Sequence, residues 1–220
     1  AKVIGMDVVV TNGDKTAAFN DLTGKQGTSS KYYAKVTMKP GVEKAAYGTV
    51  TVDGDKDAVW DNAGTIPITI NLGSNVSANA KLLWDKDNFY VYAEIKDPVL
   101  NNTNGDAWEQ DSLEVFIDEN NGKSNSYEDD DKQYRISYVN DHSFNGKKCL
   151  EENMKSVAKI TSDGYVVEAS FKWTDITPKA GDEIGLEFQI NDADASGKRI
   201  GTLSWNDETG MGWSKPEVFG

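Results

Sequence analysis

Apolar residues along this chain recur with a period of two. Phe89, Val91, Ala93 and Ile95 alternate with Tyr90, Tyr92, Glu94 and Lys96, and Tyr134, Ile136 and Tyr138 alternate with Arg135 and Ser137. Tyr165, Val167, Ala169 and Phe171 alternate with Val166, Glu168, Ser170 and Lys172; Leu186, Phe188 and Ile190 alternate with Glu187, Gln189 and Asn191. Successive side chains of a strand point to opposite faces, so each segment predicts a strand with one apolar and one polar face. Turn-forming runs separate them: DKDN at Asp85–Asn88, NNG at Asn120–Gly122, SDG at Ser162–Gly164 and AGD at Ala180–Asp182. Helical periodicity is nearly absent. The pattern predicts an all-β fold, an antiparallel β-sandwich of two sheets with jelly-roll-like topology.

Within that pattern the run from Gly105 to Asn121 carries the most chemistry. Trp108 sits in a polar loop just before a strand whose alternate residues are Leu113, Val115 and Ile117, so Glu114 faces the other way. A flat apolar ring beside a carboxylate suits a sugar, although tryptophans are usually mostly buried. Arg135 and Gln189 also lie between apolar neighbours. If the strands share a sheet, Glu114, Arg135 and Gln189 converge on one surface, where carboxylate and guanidinium would orient each other by charge-assisted hydrogen bonds, a pairing that can be bidentate. The other reading is an ordinary solvated face with a surface salt bridge worth under about 1 kcal/mol. Trp213 lies in the glycine-rich loop Thr209–Ser214, whereas Trp84, Trp173 and Trp205 fall within core-like patterns. Trp108 and Trp213 are thus loop aromatics available as two walls of a slot.

Composition narrows the function classes. The 220 residues allow one large domain, or one domain plus a fragment, and aromatics make up 10% of them. A net charge of −13 argues against nucleic acid and anionic membranes as partners. No apolar run approaches the roughly 18 residues that span a bilayer, and no signal peptide precedes the chain, which reads as a mature product or an excised piece. The single cysteine, Cys149, excludes an intrachain disulfide. No catalytic constellation is present: the one histidine, His142, lies in a polar stretch that reads as an exposed loop, and no nucleophile elbow, P-loop or zinc spacing occurs. A glycosidase needs only two carboxylates, but no pair stands out from the 36 acidic residues.

The first residues read as the tail of another copy of the same domain. Ile4-Gly5-Met6-Asp7 resembles Ile184-Gly185-Leu186-Glu187, and Phe19-Asn20-Asp21-Leu22-Thr23-Gly24 resembles Trp205-Asn206-Asp207-Glu208-Thr209-Gly210. Residues 1–38 are therefore expected to be the C-terminal fragment of a preceding homologous module, 39–44 a junction and 45–220 the complete module. The fragment carries Val9 where the module has Gln189, and no tryptophan. It continues into Tyr32–Met38, expected to be a strand that docks on a vacant sheet edge of this module or a neighbouring one.

The segments Tyr47–Gly54 with Trp60, Ala80–Trp84, Val91–Leu100, WEQDSLEVFIDENN at Trp108–Asn121, Tyr127–Tyr138 including EDDDKQYRISY, Gly164–Trp173 and Ile184–Trp205 strongly resemble the family 9 carbohydrate-binding modules of bacterial xylanases, over essentially all of 45–220. The resemblance implies a non-catalytic, extracellular β-sandwich that binds the reducing ends of plant cell-wall glycans (xylan, cellulose) and of soluble sugars such as cellobiose and xylobiose, targeting a covalently linked xylanase. It implies that Trp108 and Trp213 sandwich the terminal sugar, with polar contacts from Glu114, Arg135, Gln189 and Arg199. A family asparagine in the loop before the second tryptophan is Gly210 here. The resemblance also implies structural calcium, for which the acidic loops 118–120 and 128–131 supply hard oxygen ligands, with Asp118, Asn120, Glu128 and Asp130 as candidates. The competing expectation is a degenerate spacer module that no longer binds sugar.

Overall fold

The computed structural model describes residues 41–220 together with two strands near the start, β1 (Val8–Asn12) and β2 (Lys15–Phe19), which pair antiparallel. The chain divides into two compact units, Ala1–Lys39 and Pro40–Gly220. The expected strand at 32–38 lies outside the described residues.

The second unit is a two-sheet sandwich. Its strands are β3 (Ala46–Tyr47), β4 (Ile66–Ile68), β5 (Ile70–Leu72), β6 (Ser77–Trp84), β7 (Asn88–Lys96), β8 (Ser112–Asp118), β9 (Asp131–Ser137), β10 (His142–Asn145), β11 (Met154–Ile160), β12 (Gly164–Lys172), β13 (Gly185–Ala193) and β14 (Arg199–Ser204). One sheet runs β10-β9-β8-β13-β14-β5 and the other β11-β12-β7-β6-β3, with β4 also on β6. All these strand pairs are antiparallel except β3 on β6. The alternating apolar residues meet between the sheets. Leu113, Val115, Ile117, Phe188 and Ile190 from the first form one cluster with Phe89, Val91, Ala93, Val167 and Phe171 from the second. This burial is the main force holding the layers together.

The polar faces depart from the expectation of solvated surfaces, because loops cover both. On the second sheet, Tyr90 and Tyr92 are buried with Val50, Val52 and Trp60 in a smaller core beneath the segment that follows β3. Glu168, also buried, latches that segment: it accepts the Trp60 indole N–H at 2.9 Å and the backbone N–H groups of Asp53 and Gly54 at 2.9 and 2.8 Å. His142 is not in an exposed loop. It opens β10, half-buried, with Nε2 2.8 Å from Ser156 Oγ. At the chain end, Gly220 exchanges two backbone hydrogen bonds with Leu186, at 2.8 and 3.2 Å, extending the first sheet past β14.

Candidate functional site

The outer face of the first sheet is a polar floor. Gln189, Glu114 and Arg135 occupy one rung, because β13, β8 and β9 are adjacent and in register. Asn191 and Ser112 form the next rung on one side, Phe116 and Gln133 the next on the other. Glu114 is buried, and burial pushes its carboxyl pKa up, against the opposing pull of Asn191, Gln133 and the charges of Arg135 and Arg199. Each of its oxygens takes one protein donor: Asn191 Nδ2 on Oε1 at 2.8 Å and Gln133 Nε2 on Oε2 at 2.8 Å. A carboxylate has about four acceptor positions, so lone pairs are left for a ligand.

Two indoles rise from loops beside this floor. Trp108 sits in a short 3₁₀ turn, Ala107–Glu109, and is 49% exposed; Trp213 is 56% exposed. Neither packs in the core, whereas Trp84, Trp173 and Trp205 pack against it. Both loops are tied down. Glu109 Oε2 accepts the Arg199 backbone N–H at 2.7 Å, and the Arg199 guanidinium lies 5.3 Å from the centre of the Trp108 ring as a cation–π contact. On the other side, Asp207 accepts Gly212 N–H at 2.8 Å, Tyr127 donates to Gly212 O at 3.0 Å, and Asn145 donates to Trp213 O at 3.3 Å. The Asn145 amide also donates to Gln133 Oε1 at 3.1 Å. A continuous chain of contacts therefore links the two walls through the floor: Trp213, Asn145, Gln133, Glu114, Asn191, Arg199, Trp108.

Trp108, Trp213, Glu114, Gln189 and Arg199 line one cavity of about 830 Å³, within the range of roughly 300–1,000 Å³ usual for small-ligand sites. Glu114 is the one carboxylate that lines it among the described residues. Arg135 is the exception among the expected contacts. It sits on the rung but does not line the cavity; its Nη2 donates to Gln110 Oε1 at 2.8 Å and its buried Nε has no partner. The hydrogen-bonded pair expected between Glu114 and Arg135 does not form: the Arg135 Nη2 donates to Gln110 Oε1 instead, and the Glu114 oxygens take Asn191 and Gln133. Asn191, Gln133, Tyr127 and Asn145 were not singled out from the sequence. Asn191 did carry a signal, lying two residues from Gln189 on the same face.

Two groups of buried carboxylates lie elsewhere in this unit. Asp118, Asp130 and Asp131 bring oxygens within 4.8 Å of one another, as do Asp97, Asp111 and Asp192. Of the four expected calcium ligands, Asp118 and Asp130 meet in the first group, with Asp131 as third member. Asn120 turns its amide donor to Asp130 Oδ1 at 2.8 Å, and Glu128 is exposed. The second group, from the ends of β7 and β13 and the residue before β8, was not expected. There burial raises the pKa of Asp97 and Asp111, and Asp97 Oδ2 is buried with no partner.

Comparison with known proteins fits this geometry. Residues 52–220 match the family described as carbohydrate family 9 binding domain-like. The chain is 41% identical over 222 residues to endo-1,4-beta-xylanase A of Thermotoga neapolitana, covering 99% of this chain and 21% of that protein. It is 40% identical over 227 residues to exoglucanase XynX of Acetivibrio thermocellus, again covering 99% and 21%. The chain thus spans about one fifth of the length of these curated relatives. Among solved structures, a family 9 carbohydrate-binding module from Caldicellulosiruptor kristjanssonii in complex with cellotriose superposes with a TM-score of 0.77 at 37% identity, covering 80% of this chain and 89% of that one. Its complex with glucose gives a TM-score of 0.76 at 37% identity, covering 80% and 91%.

Proposed function

Since the chain belongs to the family 9 carbohydrate-binding domains, we propose that its slot captures the terminal sugar of cellulose or xylan chains, and of cellobiose and xylobiose, from the reducing end. The observation that carries this reading is that Trp108 and Trp213, both half-exposed, open onto one cavity whose floor is the buried Glu114. Indole faces cover the apolar C–H faces of a pyranose, and the floor accepts its hydroxyls. A polar group left unpaired where the sugar covers it costs about 1–3 kcal/mol, and this cost selects one sugar geometry. A family 9 carbohydrate-binding domain is a binding module, and among the described residues Glu114 is the one carboxylate that lines the cavity, so the reading is of a module that captures without cleaving. Its role is to hold a covalently linked glycanase on plant cell-wall polysaccharide outside the cell, a setting supported by the xylanase and exoglucanase relatives that carry such a region.

The test is calorimetric titration with cellobiose and then with its alditol, in which the reducing ring has been opened. The slot reading expects binding of the first and loss of the second. Equal binding of both refutes reducing-end capture, and binding of neither refutes the slot.

The two carboxylate groups fit structural calcium. Each offers three hard oxygen donors at close range, and the orphaned Asp97 Oδ2 is an acceptor that a cation would satisfy. Bound there, Ca²⁺ would neutralise carboxylates that otherwise repel. Asp118 and Asp130 tie the two ends of the β8–β9 connection, and Asp97, Asp111 and Asp192 tie three segments across both sheets. A chelator should therefore lower the melting temperature, with recovery when calcium is returned. An unchanged transition in excess chelator refutes both sites.

A further inference from the structure

Asn191 is wholly buried and does not line the cavity, yet it touches three residues that do. Its Nδ2 donates to Ser112 Oγ at 3.0 Å and to Glu114 Oε1 at 2.8 Å. Its Oδ1 accepts from Gln189 Nε2 and from Arg199 Nη1, both at 3.0 Å. Two donors and two lone pairs are the whole capacity of a side-chain amide, so every position is used. The orientation is also forced. Rotating the amide by half a turn would set its oxygen against the Glu114 carboxylate and its NH₂ against the guanidinium and the Gln189 NH₂, replacing three attractive contacts with repulsive ones.

We infer that Asn191 is the positioning residue that sets the hydrogen-bond polarity of the sugar slot. By holding the Gln189 NH₂ it leaves the Gln189 carbonyl oxygen, which accepts from no protein donor among the described residues, as the free end of a side chain that lines the cavity. By donating to one oxygen of Glu114 it fixes which lone pairs remain free. By accepting from Arg199 it keeps the guanidinium over Trp108. The floor therefore presents acceptors, with one guanidinium at its edge. The ligand class that matches is a neutral pyranose whose neighbouring hydroxyls donate to the floor, and a site built to pair a hydroxyl strongly rejects the analogue that lacks it. The inference rests on the slot reading above.

The experiment titrates cellobiose, glucose and the monodeoxyglucoses into wild type, Asn191→Leu, Gln189→Ala and the double variant, with calcium present and melting temperatures recorded. Wild type should discriminate at least one deoxyglucose from glucose by about tenfold or more. Asn191→Leu should weaken cellobiose binding by about tenfold and flatten that discrimination to about twofold, and adding Gln189→Ala should change little, because coupled residues are not additive. Full discrimination in folded Asn191→Leu, or additive losses in the double variant, overturns the inference. If Asn191→Leu does not fold, Gln189→Glu decides in its place: a glutamate keeps an acceptor toward the cavity but sets one against Asn191 Oδ1, so discrimination should fall, and its retention overturns the inference. A wild type that binds no sugar refutes the slot reading instead.

Discussion

Replacing Trp213 by alanine separates a binding wall from a core residue. The indole is 56% exposed, which out of roughly 250 Å² for a tryptophan leaves about 140 Å² open to a ligand. A pyranose stacked on one face covers about half of that, and about 70 Å² at 25 cal/mol per Å² is close to 2 kcal/mol, or roughly a 20–30-fold loss of affinity. The stability cost is bounded by the buried remainder, about 110 Å², reduced because an unfolded chain already hides part of it, so about 1–2 kcal/mol or a few degrees in melting temperature. Trp60, with 0% exposure and its N–H on Glu168, provides the contrast. Its replacement by alanine should cost about 3–5 kcal/mol and shift the transition several times further. Cellobiose calorimetry and differential scanning calorimetry on the two variants read both quantities. Unchanged cellobiose affinity in Trp213→Ala, or a melting shift as large as that of Trp60→Ala, would show that the indole is not a sugar platform.

Gly210 lines the cavity with φ +69, and a Cβ built there meets only Leu72 Cδ1, at 3.7 Å. Asparagine is the side chain that best tolerates that backbone region, so Gly210→Asn should fold normally and tighten cellobiose binding several-fold, to about 1 kcal/mol, by adding an amide to the slot; weaker binding on titration would count against the slot geometry. His142 has its pKa lowered from 6.5, first by burial and then by the Arg135 charge, against the pull of Glu151 and Asp141. The folded state then holds fewer protons than the unfolded one between the folded pKa and 6.5, so stability rises with pH across that window and the His142 contribution is lost as pH falls through it. As the one histidine in the chain, its proton NMR resonance should titrate with a midpoint below 6.5, and a midpoint at or above that value contradicts its burial at the start of β10.

Much of the proposed binding face was legible in the chain because strand alternation has a fixed period. Glu114, Arg135 and Gln189 were assigned to one face by their apolar neighbours, and the register does set them on one rung. Trp108 and Trp213 stood out because they fall outside any strand pattern, and both are half-exposed. Asn191 shares that alternation, yet its role depends on Glu114 lying 77 positions away and Arg199 eight positions on, across two strand boundaries. The Glu168 latch closes over a separation of 108 positions, and the Asp97, Asp111 and Asp192 group draws on three separate segments.

By itself the sequence determined the local terms: which segments extend, which side of each strand is apolar, and which aromatics are left for loops. These follow from backbone geometry and the free energy of burying apolar surface, both of which act over a few residues. The tertiary structure alone decided which strands became neighbours. Hydrogen-bond partners are chosen there, since a donor and an acceptor must meet within about 3 Å and strand adjacency sets that distance. That choice made the shared polar face of these strands a buried floor, drew Glu114 to Asn191 and Gln133 in place of Arg135, and set that carboxylate in the lining of the cavity.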